Sequence, residues 1–397
     1  MNTESPHDII IKFYSISTYM DVDTPKLPIG IDDFRTIREG GYHYIDKTGL
    51  ISRMVDDGPR SILFTRPRGI GRTLNLSMVE SFFNLEHRGN TWFEGLEVMD
   101  NPRAVSVMND HPMVHISLEG LETNTFGSFL DDYRERIRTV SRRFGYLREM
   151  DQRILRKKVP ELMDGYASEA DLCASLYYLS NALTEQHGKR TVILIDGFDG
   201  PINGSNGTDG HLRIIGFVRS LLYSTLNGNG GLEFGMVTSV MQMAGDSALW
   251  DLNISCGTIL DQQYNTMFGL TEQEVLDTLT LYGHPEGMEE VGERYAGHLF
   301  GGTMMYNPVD ILNYIDRGFR TVPYWLDEGD QGRMRESLGW TRALGLDTIS
   351  ELYNDGRVGI RGWLVIPNFF DLFHSCSISR ALVWSGYLDV VRLELKR

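Results

Sequence analysis

Two kinds of hydrophobic pattern alternate along the first two thirds of the chain. Short, mainly apolar runs at 61–65, 113–118, 191–195 and 232–239 have the length and β-branched content of buried strands. Between them, apolar residues recur every three or four positions. That spacing predicts helices over 74–83, 126–146, 151–163, 170–187 and 212–226. A short strand at 42–45 and a helix at 47–55 precede this series, and 200–210, rich in Gly and Asn, reads as a flexible loop. Strands alternating with helices imply an α/β core with a largely parallel sheet.

The character changes after the last strand. Thr271-Glu272-Gln273-Glu274 has the form of a capping box. Helices are expected at 272–282, 287–297 and 307–316, followed by a mostly helical stretch over 335–397 with one short strand near 363–366. The expected division is a leader over 1–25, a core over 26–265, and a lid with a C-terminal helical unit over 266–397.

Composition narrows the setting. The chain has 397 residues, 41% hydrophobic and 23% charged, enough for ordinary globular cores. No apolar run approaches the ~20 residues of a membrane span, and residues 1–20 lack the pattern of a signal peptide. Three scattered cysteines, Cys173, Cys256 and Cys376, have no metal-ligand spacing. An intracellular location, cytoplasmic or nuclear, is the expectation, with no membrane partner. The net charge of −16 disfavours nucleic acid. One basic stretch, 134–158, runs against that charge with ten Lys or Arg. Its apolar interleaving reads as the solvated face of helices, with a surface for nucleic acid or an acidic partner as the alternative.

Two segments carry candidate chemistry. Thr65-Arg66-Pro67-Arg68-Gly69-Ile70-Gly71-Arg72-Thr73 lies between a strand and a helix, the context in which backbone N–H groups cradle phosphate. Against the pattern G-x-x-x-x-G-K-[ST], Arg66 replaces the first glycine and Arg72 the lysine, while Gly71 and Thr73 conform. A guanidinium is a wider fork than an ammonium. Arg72 could grip phosphate from a displaced position, fill the pocket, or pair with Asp196. The second segment ends the 191–195 strand with Asp196, placed to hold Mg2+ together with Thr73. Gly197 follows where a water-activating acid often stands. Asp199 could serve only if its loop turned inward. His111 and His115 flank Pro112 on a strand, which excludes the helical i, i+4 metal geometry.

A family resemblance joins these segments. Leu27-Pro28-Ile29-Gly30-Ile31-Asp32-Asp33-Phe34, Tyr44-Ile45-Asp46-Lys47-Thr48, Phe64-Thr65-Arg66-Pro67-Arg68, Thr73-Leu74-Asn75-Leu76-Ser77, Phe268-Gly269-Leu270-Thr271 and Tyr306-Asn307-Pro308 occur in order. Together with Pro323-Tyr324-Trp325 and Ser385-Gly386-Tyr387-Leu388 they resemble the AAA-ATPase-like proteins often fused to a PD-(D/E)XK nuclease domain. The resemblance implies a P-loop core of AAA+/STAND type with a parallel sheet, then a helical lid and a small helical or winged-helix-like C-terminal unit. It implies ATP and Mg2+ as cofactors, held by Arg68, Gly69, Gly71, Arg72, Thr73 and Asp196, with Asp46, Lys47 and Pro308 beside the adenine. It makes Arg66 ordinary, because such loops begin Arg-Pro-Arg. The departures are Arg72 for lysine, Gly197 for glutamate and Gly200 for lysine. A basic residue is missing from 237–243, and the nuclease half is expected to be absent.

Three readings follow. The chain is a weak nucleotide binder or pseudo-ATPase serving as switch or scaffold, with a protein partner or a second copy. Or it is an active Mg-dependent ATPase using Arg72 and Asp199. Or it is an interaction protein that binds no nucleotide.

Overall fold

The computed structural model describes residues 24–240, 252 and 254–322. The expectations for 1–23, 241–243, 323–325, 335–397 and Cys376 lie outside the described residues.

Five strands form one parallel sheet: β1 (Ser61–Thr65), β2 (Met113–Ser117), β3 (Thr191–Asp196), β4 (Leu232–Ser239) and β5 (Ser255–Gly257), in the order β2-β3-β4-β1-β5. The register pairs Thr65 with Ser239 and Ser117 with Asp196, so the carboxyl ends of β1–β4 finish along one edge. Ligands of open parallel sheets bind at that edge.

Alternate residues of each strand enter two cores. Leu63, Val114, Ile116, Ile193, Ile195 and Val237 face the helices Phe126–Arg142, Arg153–Asp164, Ser175–His187 and His211–Leu226. Ile62, Phe64, Val192, Leu194 and Met236 face Phe34–Glu39, Gly49–Asp57 and Arg72–Phe83. Burial on both faces explains the mainly apolar runs. The arrangement is the α/β parallel-sheet core that the sequence pattern implies.

The differences have local causes. Residues 42–45 contribute only a single bridge, Tyr42 to Lys26, rather than a strand. Part of 200–210 is ordered as the short helix Gly200–Gly204, started by Pro201 in its first turn and by Asn203 N–H bonding the Asp199 carbonyl at 2.8 Å. The segment after residue 266, expected to be a helical lid, is not purely helical among the described residues. It carries the helices Glu272–Leu281, Met288–Tyr295 and Pro308–Asp316 and an antiparallel sheet β6-β8-β7, with β6 Leu270–Thr271, β7 Ala296–Phe300 and β8 Thr303–Tyr306. Gly301 and Gly302, at φ +52° and +89°, form the two-residue turn of the β7–β8 hairpin. This hairpin takes the last residues of the helix expected over 287–297.

The basic stretch is largely neutralised by its own surroundings. Arg138 pairs with Glu135, Arg148 with Asp164, and Lys158 with Glu161 and Asp171. The apolar residues Ile137, Val140, Phe144 and Leu147 are buried beneath it.

Candidate functional site

The loop between β1 and the Arg72–Phe83 helix is held from several sides. Gly69 and Gly71 lie at φ +75° and +86°, a region that favours glycine. A Cβ at Gly71 would meet nothing within 4 Å, so the loop is open there. Arg68 and Gly69 are exposed, while Arg66 is wholly buried.

Arg66 is a structural cation rather than a failed glycine. Its Nη1 donates to the carbonyls of Thr65 (2.9 Å) and Gly257 (2.8 Å), and its Nη2 to that of Tyr264 (3.0 Å). Its guanidinium also lies over Phe268 and Phe300, 5.0 and 5.3 Å from the ring centres. Burial pushes its pKa down to about 9, with Asp261 opposing the shift. Arg66 therefore bolts β1 to the end of β5 and to the segment after it.

Thr73 and Asp196 are brought together. Thr73 Oγ1 donates to Asp196 Oδ2 at 2.9 Å. Thr238, near the end of β4, donates to the other oxygen, Oδ1, and accepts from Gly197 N–H at 3.1 Å. A hydroxyl and a carboxylate at the mouth of this loop fit Mg2+, which prefers few protein oxygens and shares its shell with phosphates and water. Among the described residues no group of three His, Cys, Asp or Glu forms an all-protein metal site. His111 and His115 instead bond the Arg190 carbonyl (2.9 Å) and Glu80 (2.7 Å).

Arg72 does not pair with Asp196. Its Nη2 lies 3.6 Å from Glu119 Oε1, and its side chain is only 10% exposed. Its Nη1 is buried without a hydrogen-bond partner among the described residues. A buried guanidinium N–H with nothing to bond is costly, and an anion would satisfy it.

Glu119 was not legible as a site residue. It lies two positions beyond β2, and β2 pairs with β3. A Cβ built at Gly197 would lie 2.3 Å from Glu119 Cγ and 2.5 Å from Oε1, and one at Gly200 would lie 3.2 Å from Oε2. The volume of a side chain at 197 is thus already filled from the neighbouring strand. Asn307 was missed as well. Its Nδ2 reaches the Arg68 carbonyl at 3.5 Å, and a Cβ at Gly69 would strike the same amide at 2.7 Å. Its sequence signals were its place in the Tyr306-Asn307-Pro308 motif and Asn before Pro at a helix start, where its Oδ1 accepts from Val309 N–H.

The remaining expected site residues sit in ties. Asp46 accepts from Thr48 N–H (2.8 Å) and Oγ1 and, through Oδ2, from Glu97 N–H (2.7 Å). Lys47 is buried, and its Nζ bonds both oxygens of Glu274 (2.6 and 2.7 Å) and the Thr266 carbonyl. Burial lowers its pKa, with the Glu274 charge opposing. Pro308 opens its helix in the first turn. Asp199 is buried, and its Oδ2 accepts from Val240 N–H and Asn203 Nδ2, both at 3.1 Å. Those bonds brace the Gly200–Gly204 turn against the end of β4.

Residues 28–249, more than half of the chain, match the model of a family described as "Predicted AAA-ATPase". A curated relative from Azotobacter chroococcum mcd 1, described as an uncharacterized protein in the vnfD 5' region, is 29% identical over 315 residues. The alignment covers 77% of this chain and 54% of the relative, so the chain spans about half the length of the protein it matches. No described helix is long and apolar enough to cross a membrane.

Proposed function

Because the chain belongs to the family of predicted AAA-ATPases, we propose that it binds ATP with Mg2+ at the Gly69–Thr73 loop and uses occupancy as a switch, with hydrolysis slow or lost. The observation that carries this reading is the buried Nη1 of Arg72, a donor at the phosphate-facing position with no hydrogen-bond partner among the described residues. Backbone N–H groups of Gly69 and Gly71 and the start of the Arg72–Phe83 helix supply the rest of the anion cradle. Thr73 and Asp196 would hold Mg2+, whose chemistry is to neutralise the phosphate oxygens. Asp46, Lys47 and Pro308 shape the base side through the backbone they hold. Asn307, on the lid, reports the state of the loop to whatever partner or second copy the switch serves.

The test is equilibrium binding by calorimetry. ATP with Mg2+ binds saturably below millimolar concentration, and the affinity falls when Mg2+ is chelated. In Asp196→Asn the Mg2+-dependent part disappears while Mg2+-free binding persists. No saturable heat at millimolar ATP sinks the nucleotide reading and leaves a protein that keeps the fold for interaction alone.

A further inference from the structure

Three departures from the family pattern converge on one side chain. Arg72, Gly197 and Gly200 stand where the resemblance expects lysine, glutamate and lysine. Glu119 lies 3.6 Å from Arg72 Nη2, and its carboxylate occupies the space beside both glycines. A Cβ at 197 would lie 2.3 Å from Glu119 Cγ as it now stands. The absent acid of β3 and the present acid after β2 therefore compete for one volume, and a side chain at 197 requires Glu119 to turn away.

We propose that Glu119 is the water-activating acid of this site, moved from its usual strand to the neighbouring one. The inference rests on the nucleotide reading above and adds to it a residue for turnover. The geometry supports it in three ways. The Ser117–Asp196 pairing and the bond from Leu118 N–H to the Asp196 carbonyl (2.8 Å) fix Glu119 next to the Mg2+-holding aspartate. Arg72 Nη2 lies 3.6 Å from the carboxylate, while Nη1 is left for an anion. Glu119 is one-third exposed, so water reaches it, whereas Asp199 is buried and braced.

The step balances without a further reagent. Glu119 accepts a proton as water attacks the terminal phosphorus of ATP. The bond from that phosphorus to the bridging oxygen breaks, and ADP leaves with the electron pair. The proton then passes from Glu119 to the phosphate released. A base must lie within hydrogen-bond reach of that water or one water away.

The experiment compares wild type, Glu119→Gln, and the relocated pair Glu119→Gly with Gly197→Glu. Phosphate release and ATP affinity are measured on each. Glu119→Gln is expected to slow phosphate release at least tenfold, with ATP affinity unchanged or tighter because Arg72 loses a competing carboxylate. The relocated pair is expected to recover most of the rate. Unchanged release in Glu119→Gln overturns the proposal. So does a parallel loss of release and affinity, which marks a structural role. ATP binding by wild type with no release above the blank overturns it too, while leaving the nucleotide reading intact. Absence of ATP binding by wild type removes both.

Discussion

Gly197→Ala isolates the contact on which the site geometry turns. Gly197 has φ +62°, and a residue with a Cβ pays about 1–2 kcal/mol to adopt that conformation. The new Cβ would also lie 2.3 Å from Glu119 Cγ, so Glu119 must rotate and its ion pair with Arg72 opens. Breaking a fully buried pair costs about 3–5 kcal/mol, whereas exposed pairs are worth about 0–1. Arg72 is 10% exposed and Glu119 33%, which places this term near 1 kcal/mol after screening. The substitution should therefore cost about 2–3 kcal/mol. With Glu119→Ala already in place, only the backbone term remains, about 1–2 kcal/mol. Urea unfolding of the four proteins at pH 7.5 gives the coupling directly, expected near 1 kcal/mol. An equal cost of Gly197→Ala in both backgrounds would falsify the placement of Glu119 against position 197.

Two further outcomes follow from the buried groups Asp310 and Lys47. Burial raises Asp310 from its ordinary 3.8 to about 6. The folded state thus keeps a proton that the unfolded state releases, and stability falls as pH rises from about 4 to 6, then levels off. Asp310→Asn removes that slope and should be more stable than wild type by up to about 3 kcal/mol at pH 7.5 but not at pH 4. The same gap at both pH values refutes the burial argument. Lys47→Met leaves Glu274, 26% exposed, without its cation and should cost about 2–4 kcal/mol, partly recovered by Glu274→Gln. A loss under about 0.5 kcal/mol by thermal melting would show that Lys47 is not a structural tie.

The sequence placed β1 and β4 to the residue and β3 within one, because strands buried on both faces show as plain apolar runs. The Arg72–Phe83 helix begins two residues before its apolar pattern, since Arg72 and Thr73 serve the loop rather than the core. The β7–β8 hairpin escaped because its mixed residues, such as His298, carry no alternation, and only Gly301-Gly302 marked the turn. Within the site, Thr73, Asp196 and the two glycines were legible from local spacing. Glu119 and Thr238 were not, because their nearness to Asp196 is created by strand pairing between distant segments. Arg66 stood at a motif position, but its work is to satisfy carbonyls that no local pattern reveals.

The bonds of Arg66 also set an order of events. Gly257 and Tyr264 lie 191 and 198 residues beyond it. At about 5–20 residues per second, a ribosome makes these acceptors roughly 10–40 s after the arginine. Until then Arg66 remains hydrated and the loop lacks its anchor. The Gly69–Thr73 loop, though encoded early in the chain, is among the last parts of the described core to be finished.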